Sequence, residues 1–342
     1  MSSLTPVSSL GEFGLIERLT RNFPEQNPDV LRRIGDDAAV VRTSEGEVQV
    51  FSTDLLLEGV HFDLAYVPLR HLGYKAVSVN VSDIAAMNAR AYGITVSIAV
   101  SSRFSIEALD ELYKGIRQAC KNYGVELLGG DTSSSRQGMV ISVTAFGKAA
   151  ESDIIYRSGA REKDLICVTG DVGAAYAGLL VLDREKAVYL KNANVQPDLD
   201  TYDYVMARQL KPEARVDMAV RFAEMGIRPT AMMDVSDGIA SELHHLCRQS
   251  GTGATIYAAK LPIDPQTVSV AEEFSISPVT FALNGGEDYE LIFTIPLSDF
   301  EKIQTQTDIT VIGHMTADPK LIQIVMDSGE VLDIQAQGFR HF

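Results

Sequence analysis

Apolar positions recur along the chain in two rhythms, one of period two or continuous over short runs and one of helical spacing, and the two take turns. Val48–Thr53 and Ile94–Val100 read as strands. Between them Gly73–Asn88 predicts a helix with Ala76, Val77, Val79, Ile84 and Ala85 as its apolar face. Ile106–Tyr123 predicts a longer amphipathic helix, with Leu109, Leu112, Tyr113, Ile116 and Ala119 at helical spacing. Val125–Leu128 and Met139–Gly147 predict the strands that close this first unit. Polar residues and Gly159 then fill Ala149–Asp164 before a new strand at Leu165–Thr169, which places a boundary there and divides the chain into 1–150 and 151–342. In the second part, Asp183–Tyr204 is rich in charged residues, Asn and Asp and reads as a mobile excursion. A helix around Arg215–Met225, a strand into Met233, a helix after Gly238 and a turn feeding a strand over Asn284–Thr294 follow. Strands and helices in turn predict an α/β or mixed α+β fold in two α/β domains.

The length of 342 residues agrees with two domains and a core that needs no metal or disulfide staple. Charge changes the picture more. Thirty Lys and Arg against 46 Asp and Glu leave a net charge of −16. Such a surface repels nucleic-acid phosphates, and any phosphate chemistry here needs added cations. Cys120, Cys167 and Cys247 are odd in number and far apart, as in a reduced cytoplasmic protein. Neither a leader peptide nor an apolar run long enough to span a bilayer is expected.

The usual phosphate-binding words are missing: no GxxxxGK[ST] occurs, and Gly170-Asp171-Val172-Gly173 does not complete a GxGxxG. What recurs is a carboxylate in a small-residue turn after an apolar run. These turns are Gly35-Asp36-Asp37, Ser52-Thr53-Asp54, Asn80-Val81-Ser82-Asp83, Gly129-Gly130-Asp131, Asp234-Val235-Ser236-Asp237 and Gly285-Gly286-Glu287-Asp288. Any one of them serves equally well as a cap or turn. Six in one acidic chain point to a cluster, and carboxylates brought together repel unless a cation lies among them. Hard oxygen ligands of this kind suit Mg²⁺, which takes a few carboxylates and completes its shell with water and phosphate oxygens. Asn80–Asp83 and Asp234–Asp237 also echo one another, as do Gly129–Asp131 and Gly285–Asp288, either as related acidic turns of two halves or by chance.

The same words, in order from Gly11-Glu12-Phe13 onwards, resemble those of the thiamine-monophosphate kinases, in the superfamily of aminoimidazole-ribonucleotide synthetase and selenophosphate synthetase. Beyond the acidic turns the matching words are His61-Phe62, Tyr74-Lys75-Ala76, Arg157-Ser158-Gly159-Ala160 and the extension Asp288-Tyr289-Glu290-Leu291. The resemblance implies two α/β domains, with the N-terminal sheets pairing across a homodimer, and a reaction in which ATP and thiamine monophosphate give thiamine diphosphate and ADP with several Mg²⁺ ions. It implies metal-binding positions at Asp37, Ser52, Thr53, Asp54, Asp83, Asp131, Asp234 and Asp237. It implies nucleotide contacts at Gly130, Asp131, Arg157 and Ser236, with Tyr113 placed either to stack on adenine or to pack in the core. His61, Glu287 and Phe339 match positions that touch the thiamine portion, with Glu287 facing either the cationic thiazolium or the aminopyrimidine. No protein nucleophile or general base is required, because a phosphate monoester is already ionised near neutral pH.

Other readings make different demands. Selenophosphate synthetase calls for a reactive Cys in an N-terminal loop, whereas the first cysteine is Cys120. The hydrogenase-maturation branch calls for a C-terminal Cys, and this chain ends Gly338-Phe339-Arg340-His341-Phe342. Aminoimidazole-ribonucleotide synthetase is the nearest alternative enzyme, and a nucleotide-binding regulator without turnover is the alternative of another class.

Overall fold

A computed structural model describes residues 6–192 and 199–335. Its helices are α1 (Gly11–Thr20), α2 (Leu69–Ala86), α3 (Ile106–Tyr123), α4 (Ala174–Lys191), α5 (Asp203–Leu210), α6 (Met218–Met225), α7 (Ile239–Ser250), α8 (Pro265–Glu273), α9 (Pro278–Asn284) and α10 (Phe300–Ile303). Strands β1 (Val30–Arg32), β2 (Ala39–Ser44), β3 (Glu47–Leu57), β4 (Arg90–Val100), β5 (Glu126–Ser134) and β6 (Val140–Ala150) form one six-stranded sheet, in the order β1-β2-β3-β6-β4-β5. Strands β7 (Leu165–Thr169), β8 (Ala231–Asp234), β9 (Gly253–Tyr257), β10 (Leu291–Ile295), β11 (Ile309–Thr316), β12 (Ile322–Val325) and β13 (Val331–Asp333) form the other, in the order β13-β12-β9-β11-β7-β10-β8. Pairing is antiparallel except at β4/β5 and β9/β12.

The amphipathic pattern at Ile106–Tyr123 marks α3 well. Ser105 caps its start by accepting from Ala108 N–H at 3.2 Å, and Gly124 closes its end at φ +66°. The expected apolar stripe of α2 proves to be the wrong picture. Nearly the whole circumference of α2 is buried, including Lys75, Ser78, Asn80 and Ser82. A helix covered on every side has no polar face to set its period. It lies on the first sheet, packs along α3, and its later turns reach β8 of the second sheet.

The α2–α3 contact is set by two glycines. A Cβ on Gly73 would sit 2.0 Å from the carbonyl oxygen of Leu112, and one on Gly115 would sit 1.9 Å from that of Arg70. Any larger residue forces the helices apart and lifts α2 from the sheet.

Three further expectations need correction. Residues 183–191 are not an irregular excursion but the second half of α4, with Lys186 paired to Asp63 and stacked near Tyr66. Residues 193–198 and Phe339 lie outside the described residues. Strand β5 continues through Ser134, six residues beyond the predicted end, and all nine of its residues are exposed. The echoed words are not a structural repeat either, since residues 80–83 are helical while 234–237 leave a strand.

Gly115→Ala should cost about 1–3 kcal/mol through overpacking at the helix contact. Thermal unfolding should report a fall of several degrees, whereas Gly124→Asn, at a position with nothing near the missing Cβ, should change little.

Candidate active site

Three separate elements deliver carboxylates to one place. Asp37 comes from the turn between β1 and β2, Asp83 from the last turns of α2, and Asp234 from the end of β8. One oxygen of each lies within 4.8 Å of those of the other two. This is the grouping among the described residues that could hold a metal ion.

Local structure explains each placement. Strand alternation sends Ser52 and Asp54 of β3 to the α2 side of the first sheet. There the Ser52 hydroxyl donates to Asp83 Oδ2, and the Asp54 N–H donates to Asn80 Oδ1 at 3.0 Å. The same alternation carries the Thr53 hydroxyl to the opposite face, where it donates to the Val143 carbonyl at 3.0 Å and accepts from Thr144 at 3.1 Å. That hydroxyl therefore does not join the cluster. Ser82, one residue before Asp83, crosses to the second sheet and donates to Asp234 Oδ2 at 2.6 Å.

Asp37 gives Oδ1 to Arg157, at 2.6 Å from Nη2 and 3.2 Å from Nε, and leaves Oδ2 buried with no hydrogen-bond partner among the described residues. Its neighbour Asp36 accepts from the Arg157 N–H at 3.1 Å and pairs with Arg32 at 2.7 Å. Arg157 thus fastens the turn of the first sheet to the start of the second half, with two of its nitrogens committed to Asp37.

The electrostatics are those of a site with more carboxylates than Arg157 and Arg32 balance. Burial first, and then Asp37, push Asp234 up to about 7. Burial pushes Asp54 and Asp36 up to about 6. Asp83 is raised well above the usual carboxylate range by burial and by Asp54, Asp234 and Asp37. An unpartnered oxygen on Asp37, three converging carboxylates and the raised Asp83 and Asp234 are what a hard divalent cation remedies. The donor set fits such an ion.

Sequence Gly285–Glu290 forms the other wall. Beyond the β8–β10 pairing, Val235 N–H donates to the Glu290 carbonyl at 2.8 Å, Tyr289 N–H to that of Val235 at 2.9 Å, and Glu287 N–H to that of Ser236 at 2.7 Å. Gly286 sits at φ +68°, where a Cβ would meet the Ser236 carbonyl at 2.5 Å. Glu287 and Tyr289 also hold positive φ, +58° and +52°, a strain that persists only where surroundings enforce it. Ser236 contributes its backbone to this seam, and Asp237 donates its N–H to Glu242 at 2.8 Å, on the α7 side of the cluster. Behind the loop, Asp288 accepts from the N–H groups of Gly173 and Ala175. The Gly170–Gly173 turn therefore wraps a carboxylate of the chain itself.

Other expected residues stand apart within one chain. Gly130 and Asp131 lie on β5, three strands from β3 and so about 14 Å away across the sheet. Tyr113 is half-buried on α3, against the first core. His61, in the turn after β3, accepts from Leu57 N–H through Nδ1 at 3.0 Å. Glu287 pairs with Lys75 of α2 at 2.9 Å. Lys75 and Tyr289 entered only as parts of matching words, whereas Gln209 and Glu242 carried no local signal of a place at the site.

The arrangement is that of a two-sheet α/β protein with a cluster of carboxylates, able to hold a cation, where its two sheets meet. Residues 35–149 match the family described as AIR synthase related protein, N-terminal domain. Over nearly its whole length the chain is similar to proteins named thiamine-monophosphate kinase. It is 32% identical to that of Bacillus subtilis (strain 168), covering 97% of this chain and 100% of the relative, and 31% identical to that of Aquifex aeolicus (strain VF5), covering 98% and 99%. The chain belongs to the thiamine-monophosphate kinase family. Among solved structures, AaThiL complexed with AMPPCP and TMP superposes with a TM-score of 0.83 at 30% identity over 100% of both chains. Hydrogenase Maturation Protein HypE in complex with ATP shares the fold at 17% identity, covering 94% of both chains, with a TM-score of 0.69.

The raised carboxyls make a pH prediction. An acid that titrates near 6 or 7 when folded and near 4 when unfolded takes up a proton on folding. Stability of the cation-free protein should therefore fall as pH rises from about 4 to 7. Differential scanning fluorimetry should show a lower Tm at pH 8 than at pH 5, and added Mg²⁺ should raise Tm more at pH 8. An equal Mg²⁺ effect at both pH values would sink the assignment of these shifts to the cluster.

Proposed function

We propose that the protein transfers the terminal phosphoryl group of ATP to the phosphate of thiamine monophosphate, giving thiamine diphosphate and ADP. The convergence of Asp37, Asp83 and Asp234 from three elements carries this reading, in a chain similar along its whole length to kinases of that name. A phosphate oxygen of the substrate attacks the γ-phosphorus in line, and the bond to the bridging oxygen of ADP breaks. No proton need be removed, so the site can lack a general base. Bound Mg²⁺ would neutralise charge spread over the transferring group. The chain's own part is geometric. Asp37, Asp83 and Asp234, with Asp54 beside them, would hold the ions; Ser52 and Ser82 orient two of those carboxylates. Asp237 and Ser236 complete the rim in this reading, and Arg157 keeps Asp37 in place while facing phosphate oxygens.

The rest of the reading follows the same family positions. Thr53 and Asp131 belong to the metal set, the former through its backbone, since its hydroxyl points elsewhere. Gly130, Asp131 and Tyr113 belong to the nucleotide, and His61, Glu287 and Phe339 to the thiamine portion. The division at 150/151 separates an ATP, Mg²⁺ and dimerisation domain from one that completes the site. A homodimer is supported by the bare edge strand β5 and by Leu55, Leu127 and Leu128, each about half exposed on the first sheet. We place the enzyme in the cytoplasm, where its three free cysteines stay reduced. No helix among the described residues is long and apolar enough to cross a membrane.

Phosphorus NMR of the protein with ATP, Mg²⁺ and thiamine monophosphate should show new diphosphate signals and ADP without free phosphate, and a chelator should abolish them. Free phosphate with ADP and no thiamine diphosphate would overturn the choice of acceptor. Asp83→Asn and Asp234→Asn should each lower kcat at least about tenfold without unfolding the protein. Turnover equal to wild type in either would remove that residue from the metal set.

A further inference from the structure

Glu287 is held on both sides. Lys75 Nζ lies 2.9 Å from Oε1, and Gln209 Nε2 donates to Oε2 at 2.8 Å. Lys75 also donates to the backbone carbonyl of Gln209 at 3.2 Å, which closes a ring of three contacts among α2, α5 and the Gly285–Glu290 loop. Lys75 is 4% exposed and Gln209 6%, so water competes little for these bonds. The amide orientation is fixed by its partner, because a carboxylate can only accept and must face the NH₂ group. The backbone of Glu287 is pinned as well, by its bond to Ser236 and its positive φ. Its side chain remains 29% exposed, so part of the carboxylate faces outward.

We propose that Lys75 and Gln209 are positioning residues that make Glu287 a charge-balanced, fixed hydrogen-bond acceptor, and that it takes the neutral amino group of the substrate's aminopyrimidine, not the thiazolium cation. The inference rests on the kinase reading and on the placing of Glu287 at the thiamine portion. A buried ammonium 2.9 Å away balances the carboxylate's charge, which leaves little net field for a second cation. Directional lone pairs survive that pairing, and they select an N–H donor. An oxo group in place of that donor would set two acceptors against each other, which is how a polar site rejects a near-isostere.

The test compares kcat and KM for thiamine monophosphate with two analogues, one carrying an oxo group in place of the ring amino group and one with an uncharged ring in place of the thiazolium. Wild type should disfavour the oxo analogue by at least about tenfold in kcat/KM and accept the uncharged-ring analogue within about threefold. Gln209→Ala should raise KM for thiamine monophosphate and narrow the preference against the oxo analogue while leaving KM for ATP unchanged. Lys75→Arg, which keeps the charge, should retain more of the preference than Lys75→Met, and the wild-type comparison stands even where a variant fails to fold. Equal use of the oxo analogue by wild type, loss of the uncharged-ring analogue, or a Gln209→Ala variant with the full preference would each overturn the inference and leave the kinase reading intact. Failure of wild type to turn over thiamine monophosphate would overturn both.

Discussion

The structure depends on the burial of α2. A helix covered on every side must find a partner for each polar group it carries, since an orphaned buried donor or acceptor costs on the order of 1–3 kcal/mol. Lys75, Ser78, Asn80 and Ser82 meet this constraint by reaching outward in different directions. Asn80 bonds to β3 of the first sheet; Ser78 bonds to the Pro212 carbonyl, Lys75 to Glu287 and Ser82 to Asp234. Three of these bonds, to Asp54, Glu287 and Asp234, also locate a residue of the site. Folding of the core and assembly of the site are one event.

This coupling explains the mixed charge of the cleft. Three carboxylates are brought together with Arg157 paired to Asp37 alone, while beside them the Lys75–Glu287 pair is internally balanced. In the reading proposed above, the two regions suit different parts of one ligand: the first a phosphate chain with its metal ions, the second a neutral polar ring. Strain in the Gly285–Glu290 loop serves the same division. Positive φ at Glu287 and Tyr289 lets successive side chains serve different surroundings, with Asp288 turned to the start of α4, Glu290 to Arg208 and Arg215, and Glu287 to α2.

Much of this was legible in the residues. Helix α3 announced itself because one face is wet and one dry, and the acidic turns stood out because carboxylates among Gly and Ser at strand ends differ from carboxylates on solvated helix faces. Most of what was not legible depended on contacts distant in the chain. The stripe expected on α2 fails because its polar side is covered by residues 209–214 and β8. The end of β5 was hidden because Gly129–Ser134 has poor strand propensity and is held by pairing with β4. Charge alone suggested a loose excursion at 183–191, where α4 packs and pairs with Asp63. Gln209 has no motif of its own; its role follows from Glu287, 78 residues later. The direction of the Thr53 hydroxyl was not legible from its word, since a one-residue step along a strand reverses the face.

The long reach of the bonds to α2 bears on how the chain is made. Ser82 and its acceptor Asp234 are 152 residues apart, which at about 5–20 residues per second is roughly 8–30 s of synthesis. Once Ala150 completes the first sheet, the helix on it carries a lysine and two serines whose partners, between Gln209 and Glu287, have not yet been made. The N-terminal half must wait in a partly open state, its seam wet and exposed to proteases and to other nascent chains. A chaperone that shields that seam would act in a window set by chain order, after Ala150 has emerged and before Glu287.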